Sequence, residues 1–302
     1  MKRLIPTLVL VALCIGAFWY ASSQNFFKKE EKPEVKTLVS AEPDQISGIR
    51  IHASGGDVEL QKKNGEWEMV KPSALPLDES ETESWTYVFG TLTYETVVDE
   101  NPADLAEFGL ASPEVELEAK LPSGSKTVQV GSPLSIPGYY YVKLKDAPAV
   151  YQVSEDQISA LMKTPFDFMQ KAPFQLTYDD VQSVQAEWKG EKRTLQKSDP
   201  SKSASESNWK LNGQDLAGNE AQTVLDKVLF LTTEKLVRPA AEVRLDRPDF
   251  RLDLKTGKDG ATAIAVAGKI EQDDVWIAKQ GDKWAYAIPT AKIEELFEAM
   301  KK

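Results

Sequence analysis

The chain has 302 residues, 41% of them hydrophobic, enough to build packed cores in two domains of ordinary size. It carries 36 basic and 47 acidic residues, a net charge of −11, and a body so acidic repels phosphate backbones and anionic headgroups, so no nucleic-acid partner is expected. The only cysteine, Cys14, lies in the apolar N-terminal run, which leaves the rest of the chain without disulfide or thiolate chemistry.

Met1-Lys2-Arg3 precedes an uncharged run from Leu4 to Ala21. As a helix that run is about 27 Å long, close to the hydrocarbon thickness of a bilayer. Leu4, Ile5, Leu8, Val9, Leu10, Val11, Leu13, Ile15 and Phe18 supply the apolar surface, and Trp19 and Tyr20 sit where an aromatic belt meets the outer interface. The basic Lys2-Arg3 pair places the N-terminus in the cytoplasm, so the expectation is a single-pass cell-membrane protein with its bulk on the extracytoplasmic side. The length favours an uncleaved anchor. A signal peptide cleaved near Ala21-Ser22-Ser23 and a lipoprotein attached through Cys14 are the alternatives, the last a poor fit because Leu13 stands where a small residue is wanted. Residues 25–37 are charged, contain Pro33, and read as a juxtamembrane spacer.

Beyond residue 37 the chain contains one pattern twice. Leu110-Ala-Ser-Pro113-Glu-Val-Glu-Leu117 returns as Leu245-Asp-Arg-Pro248-Asp-Phe-Arg-Leu252, 135 positions later. Tyr151, Ile158 and Leu161 return as Tyr286, Ile293 and Leu296 at the same offset, while Gly131 aligns with Gly268 and Lys143 with Lys279 after small slips. The expected organisation is an anchor and spacer over 1–37, a first unit over 38–173 and a second over 174–302.

In the first unit Ile46, Ile49, Ile51, Val58 and Leu60 alternate with polar residues as strands do, with Gly55-Gly56 as the hairpin turn, and Trp67 to Met69 form a third strand. Asp78 with Glu81 predicts a capped helix whose apolar face is Trp85, Val88, Phe89 and Leu92. A short helical turn stops at Gly109. A meander follows through Val115–Ala119, Val128–Val130, Tyr139–Val142 and Val150–Val153, then a helix capped by Ser154 and Gln157 with Ile158, Leu161 and Met162 on one face. The second unit repeats this from Val181. Ser198–Ser207 reads as a flexible insert, Asn219 with Gln222 as a helix cap, and Ala221, Val224, Leu225, Val228 and Leu229 as a buried helix face. Its meander runs through Phe250–Leu254, Ala263–Val266, Val275–Ile277 and Trp284–Ile288, and a last helix carries Ile293, Leu296, Phe297 and Met300. Glycine turns demand antiparallel pairing, so the class is α+β: two tandem antiparallel-sheet units with packed helices, behind an N-terminal transmembrane helix.

The order of motifs in the first unit is Trp67, then Phe108-Gly109-Leu110-Ala-Ser-Pro113, Val130-Gly131, Tyr140-Tyr141-Val-Lys143 and Val150-Tyr151-Gln-Val153. With the apolar N-terminus this resembles the bacterial family catalogued as domain of unknown function 4340. The second unit departs from the pattern: Asp246-Arg247 replaces Ala-Ser, the Phe-Gly pair is lost, and Val275-Trp276 stands for the tyrosine pair. The resemblance implies an accessory component beside ABC-type transport systems and supplies no catalytic residues.

The chemistry of the chain is sparse. His52 is the only histidine, so zinc or copper sites have few ligands and a Ser-His-Asp triad could form only through it. Gly-x-Ser-x-Gly, Walker and dinucleotide patterns are missing, and Asp78, Glu79, Glu81 and Glu83 read as first-turn acids against a helix dipole. No catalytic residue, cofactor or metal is therefore expected, with a hydrolase the weakest reading. The expected role is partner binding in a transport or envelope assembly, with capture of an envelope glycan or peptide as the alternative. Tyr139, Tyr140, Tyr141 and Trp276 are the candidate binding surface, since an exposed aromatic strand face can stack on a sugar or dock a protein.

Overall fold

The computed structural model describes Tyr20, residues 36–257, Gly260 and residues 262–301. The apolar run from Leu4 lies outside the described residues except for Tyr20, which is helical and exposed. Among the described residues no helix is long and apolar enough to cross a membrane. Thr37–Lys302 form one compact unit.

Two antiparallel sheets carry the fold. The first contains β1 (Gly48–Ala53), β2 (Gly56–Lys63), β3 (Glu66–Lys71), β4 (Thr96–Asp99), β5 (Val115–Leu121), β6 (Gly124–Pro133), β7 (Tyr139–Leu144) and β8 (Val150–Ser154), in the order β3-β2-β1-β5-β6-β7-β8-β4. The second contains β9 (Val181–Trp188), β10 (Glu191–Lys197), β11 (Trp209–Leu211), β12 (Gln214–Leu216), β13 (Arg238–Pro239), β14 (Phe250–Thr256), β15 (Thr262–Glu271), β16 (Asp274–Lys279) and β17 (Trp284–Pro289), in the order β12-β11-β10-β9-β14-β15-β16-β17-β13. With β12 set aside, the two orders are identical strand for strand. The register repeats as well: Ile51 faces Leu117 across β1 and β5, and Ala186 faces Leu252 across β9 and β14, each residue 135 positions on.

Period-two burial explains the strands. Ile49 and Ile51 are buried while Arg50 and His52 are not, and β14 alternates strictly from Phe250 to Thr256. One face of each sheet is covered by helices. In the first unit these are α1 (Glu79–Gly90), α2 (Glu155–Leu161) and the single turn α3 (Pro165–Phe168). Trp85 and Phe89 of α1 stack with ring centroids 4.9 Å apart, both fully buried, and Trp85 Nε1 donates to Leu161 O at 2.9 Å. In the second unit α4 (Gly218–Leu229) packs against α5 (Thr290–Ala299), which buries Ile293, Leu296 and Phe297.

The units join at two adjacent residues. Phe168 lies in the first core and Met169 in the second. Asp78 N–H donates to Phe168 O at 2.9 Å, and Leu77 bridges Met169, so the start of α1 is tied to the junction.

Several sequence expectations are corrected. The insert at Ser198–Ser207 is held rather than loose: Ala204 N–H donates to Asp179 Oδ1 at 2.7 Å, Trp209 Nε1 donates to Ala204 O at 2.8 Å, and Ala204 and Ser207 are buried. An unperiodic sequence can still be ordered by capping a buried tryptophan. Asp78 caps α1 through Ser80 N–H at 3.0 Å, while Glu81 turns away to pair with Lys163. Helix α4 begins after Ala217, whose N–H is accepted by Glu220, so Asn219 lies inside the helix. Gln157 reaches Thr93 as well as Ser154, and Met162 is exposed beyond the end of α2. The edge strands β4, β12 and the short β13 carry too little pattern to be read from sequence.

The alignment of Gly131 with Gly268 is also one residue off. Strand pairing sets Leu117 opposite Val128 and Leu252 opposite Val266, which places Val130 on Gly268 and Lys143 on Ala278. A slip of one residue changes the face of the sheet. Gly268 points into the core, where an added Cβ would lie 2.9 Å from Ile277 and Val275 side-chain atoms. Gly131 points out, beneath the turn at Phe108.

Candidate functional site

The helix-free faces of the sheets differ sharply. On the first sheet, the outward residues pair with one another. Arg50 reaches Glu59 at 3.5 Å and Glu118 at 3.9 Å, Lys71 reaches Glu59 at 3.2 Å, and Lys145 reaches Glu116 at 3.4 Å. Gln129 donates to Glu116 at 2.7 Å, and that hydrogen bond holds the Glu116 carboxyl below its ordinary range. His52 Nδ1 lies 2.5 Å from Asp57 Oδ1 on the next strand, and this bond lowers the Asp57 carboxyl. Both side chains are open to solvent, and Glu116 faces His52 from the other side. Exposed pairs of this kind contribute little stability. Lys143 also lies on this face, 9% exposed, its ammonium donating to Leu144 O at 2.9 Å and Lys145 O at 3.4 Å.

On the second sheet the part of this face over β15, β16 and β17 carries alanine. By strand register, Ala265 stands at the place of Thr127, Ala267 at Gln129, Ala278 at Lys143 and Ala285 at Val150. Val243 and Ala240, in the segment leading from β13, cover Ala278 and Ala285. Beside that cover a groove of about 390 Å³ remains over Ala265, Ala267 and Ala278, rimmed by Arg251, Asp253, Lys279 and Asp282. A more polar hollow of about 480 Å³ adjoins it across Asp253, lined by Ser183, Gln185, Thr194, Gln196 and Lys255. The corresponding hollow on the first sheet, over Arg50, Glu118 and Lys120, measures about 180 Å³. The polar hollow is thus the larger in the second copy.

The aromatic residues singled out in the sequence are not brought together. Tyr140 packs toward the first core. Tyr141 meets the edge of Phe108 at 5.1 Å between centroids, and Tyr139 lies at the start of β7. Trp276, on the other sheet, lies under the Arg238 guanidinium at 3.9 Å, and Arg238 is held in turn by Glu271 at 2.6 Å. The aromatic faces of Tyr141 and Trp276 are therefore engaged within the chain. Asp274, the first residue of β16, is 7% exposed and accepts from Lys235 at 2.5 Å. Among the described residues no group of three His, Cys, Asp or Glu side chains is placed to hold a metal ion.

The family motifs find a structural reason here. Gly109 ends the turn Leu105–Phe108 with φ +69°, and a Cβ there would lie 2.7 Å from Ser132 N. A Cβ on Gly131 would strike Phe108 O and approach Leu110 Cγ to 2.9 Å. Phe108-Gly109-Leu110 and Gly131-Ser132 clasp each other backbone to backbone, which only glycine permits.

Duplicated antiparallel sheets, helices on one face and a main-chain clasp on the other define an α+β tandem protein. The chain belongs to the family described as Domain of unknown function (DUF4340), which matches residues 67–248 and so spans parts of both units. No curated protein and no solved structure matches the chain.

The alanines were missed in the sequence because each looks like a neutral strand residue. The signal was available in the alternation Ala263-Ile-Ala265-Val-Ala267, read against the bulkier Thr127-Val-Gln129 of the first copy.

Proposed function

We propose that this chain is a membrane-tethered, extracytoplasmic and non-catalytic protein that binds a partner within an ABC-type transport or envelope assembly, and that the partner docks on the open face of the second sheet. The observation that carries this reading is the groove over Ala265, Ala267 and Ala278, at register positions where the first copy carries the larger Thr127, Gln129 and Lys143. The apolar run from Leu4 supports tethering, and the transport association comes from the family resemblance. Occupation of Tyr141 by Phe108 and of Trp276 by Arg238 favours a polypeptide over a stacked sugar ring.

The test is affinity purification of the full chain from mild detergent, with Ala267→Arg as the comparison. Recovery of a permease or envelope subunit with the unaltered chain, and its loss with the variant, is the expected result. Recovery of a lone monomer from both would overturn the proposal. Protease added to intact spheroplasts should digest the chain beyond residue 37, and full protection of that part would overturn the topology.

A further inference from the structure

We infer that the alanine-floored groove of the second sheet is a receptor for a lysine side chain presented by a partner polypeptide. The inference deepens the partner-binding reading above and rests on it. The first copy of the unit supplies the template. There Lys143 lies nine-tenths buried on the outer face, its ammonium donating to Leu144 O at 2.9 Å and Lys145 O at 3.4 Å. In the second copy the register places Ala278 where Lys143 stands, and Lys279 and Gln280 where Leu144 and Lys145 stand. The receiving main chain is reproduced: Lys145 N–H donates to Thr127 O at 3.0 Å and Gln280 N–H to Ala265 O at 2.8 Å, while Ala147 N–H donates to Leu144 O at 3.1 Å and Asp282 N–H to Lys279 O at 3.0 Å. The hairpin that holds the ammonium in the first copy is present in the second, and a methyl group stands where the lysine side chain would be.

Ala267 for Gln129 and Ala265 for Thr127, beside Ala278 with its cover of Val243 and Ala240, floor a groove also lined by Lys279, Gln280, Gly281 and Asp282. Methyl groups on the floor suit the aliphatic stem of a lysine, whose charged head then reaches the polar end. The rim is balanced rather than uniformly acidic. Asp253 favours a cation and Arg251 opposes it, while Lys279 and Asp282 neutralise each other at 3.5 Å. The polar hollow across Asp253 gives room for the residues flanking the lysine, which is why a polypeptide is preferred to a free amine of the same chemistry.

Titration of the full chain by calorimetry or amide NMR tests this with four probes: a capped lysine hexapeptide, the same peptide acetylated on the lysine Nε, its glutamate counterpart, and 1,5-diaminopentane. The lysine peptide should bind, and acetylation should weaken binding about tenfold or more, since a charge-assisted hydrogen bond is lost. Ala278→Lys, which restores the residue of the first copy, should abolish binding, and the independent variant Ala267→Gln should weaken it without loss of the folding transition. Equal binding of the acetylated or glutamate peptide, or unchanged binding in both variants, would overturn the site. Tighter binding of the diamine than of the peptide would overturn the polypeptide source. Loss of peptide binding while a subunit still co-purifies sinks this inference alone. Intact peptide binding without co-purification sinks only the transport reading.

Discussion

Replacement of Gly131 by alanine probes the clasp that accounts for the family motifs. The new Cβ would meet the carbonyl oxygen of Phe108, a backbone atom, well inside van der Waals contact, and would lie 2.9 Å from Leu110 Cγ. Restoring an ordinary carbon–oxygen separation requires the turn Leu105–Phe108 to lift by about 1 Å, a displacement of the size that overpacking forces at about 1–3 kcal/mol. That movement also loosens the edge-on contact of Phe108 with Tyr141, worth about 0.5–1.5 kcal/mol, and begins to expose Leu110, now 2% exposed. The combined loss is about 2–4 kcal/mol. Gly268→Ala is the control: the atoms nearest its Cβ would be the methyl ends of Ile277 and Val275 and then Phe250 Cβ, all side-chain atoms, so about 1–2 kcal/mol is expected. Urea unfolding followed by tryptophan fluorescence measures both, with the slope required to stay constant. A Gly131→Ala loss under about 1 kcal/mol, or one smaller than that of Gly268→Ala, would refute the backbone clasp.

Trp85→Phe should cost about 2–3 kcal/mol, because Leu161 O loses its 2.9 Å donor inside a fully buried stack, and its midpoint shift in the same urea assay checks this. Tyr286 is 4% exposed and burial pushes its phenol up to about 12 from 10.0, so the folded state favours the neutral form. Its contribution is complete below pH 10 and is lost as pH rises toward 12, about 2–3 kcal/mol in all. Tyr286→Phe should therefore flatten the alkaline limb of the stability curve, and an unchanged limb would count against a buried phenol.

What was legible in the sequence is what period and spacing encode. The 135-residue offset placed Leu117 and Leu252 in equivalent positions, and the alternation around Ile49, Ile51 and Phe250 set which face is buried. The apolar spacing of Trp85 and Phe89 marked the helix face, because a helix must bury one side and a strand every second residue, whereas Leu92, read as the same face, is buried beyond the helix end at Gly90. Proposed sites fared differently. Tyr141 and Trp276 were visible as aromatic strand residues, yet whether an aromatic face is free depends on Phe108 and Arg238, which arrive from other strands and turns. Ser198–Ser207 lacks any period, and only the need to satisfy Trp209 Nε1 and cover its ring orders it.

By itself the sequence determined that a unit is duplicated, that its strands pair through tight turns, and which alternating strand residues face a core, since these follow from local chemistry and short-range period. Tertiary structure alone decided that Gly131 and Gly268 point to opposite faces and that Lys143 and Ala278 share one position. The connection from β14 to β15 is longer than that from β5 to β6, so Gly268 is equivalent to Val130 and not to Gly131, and neighbouring residues of a strand face opposite sides of the sheet.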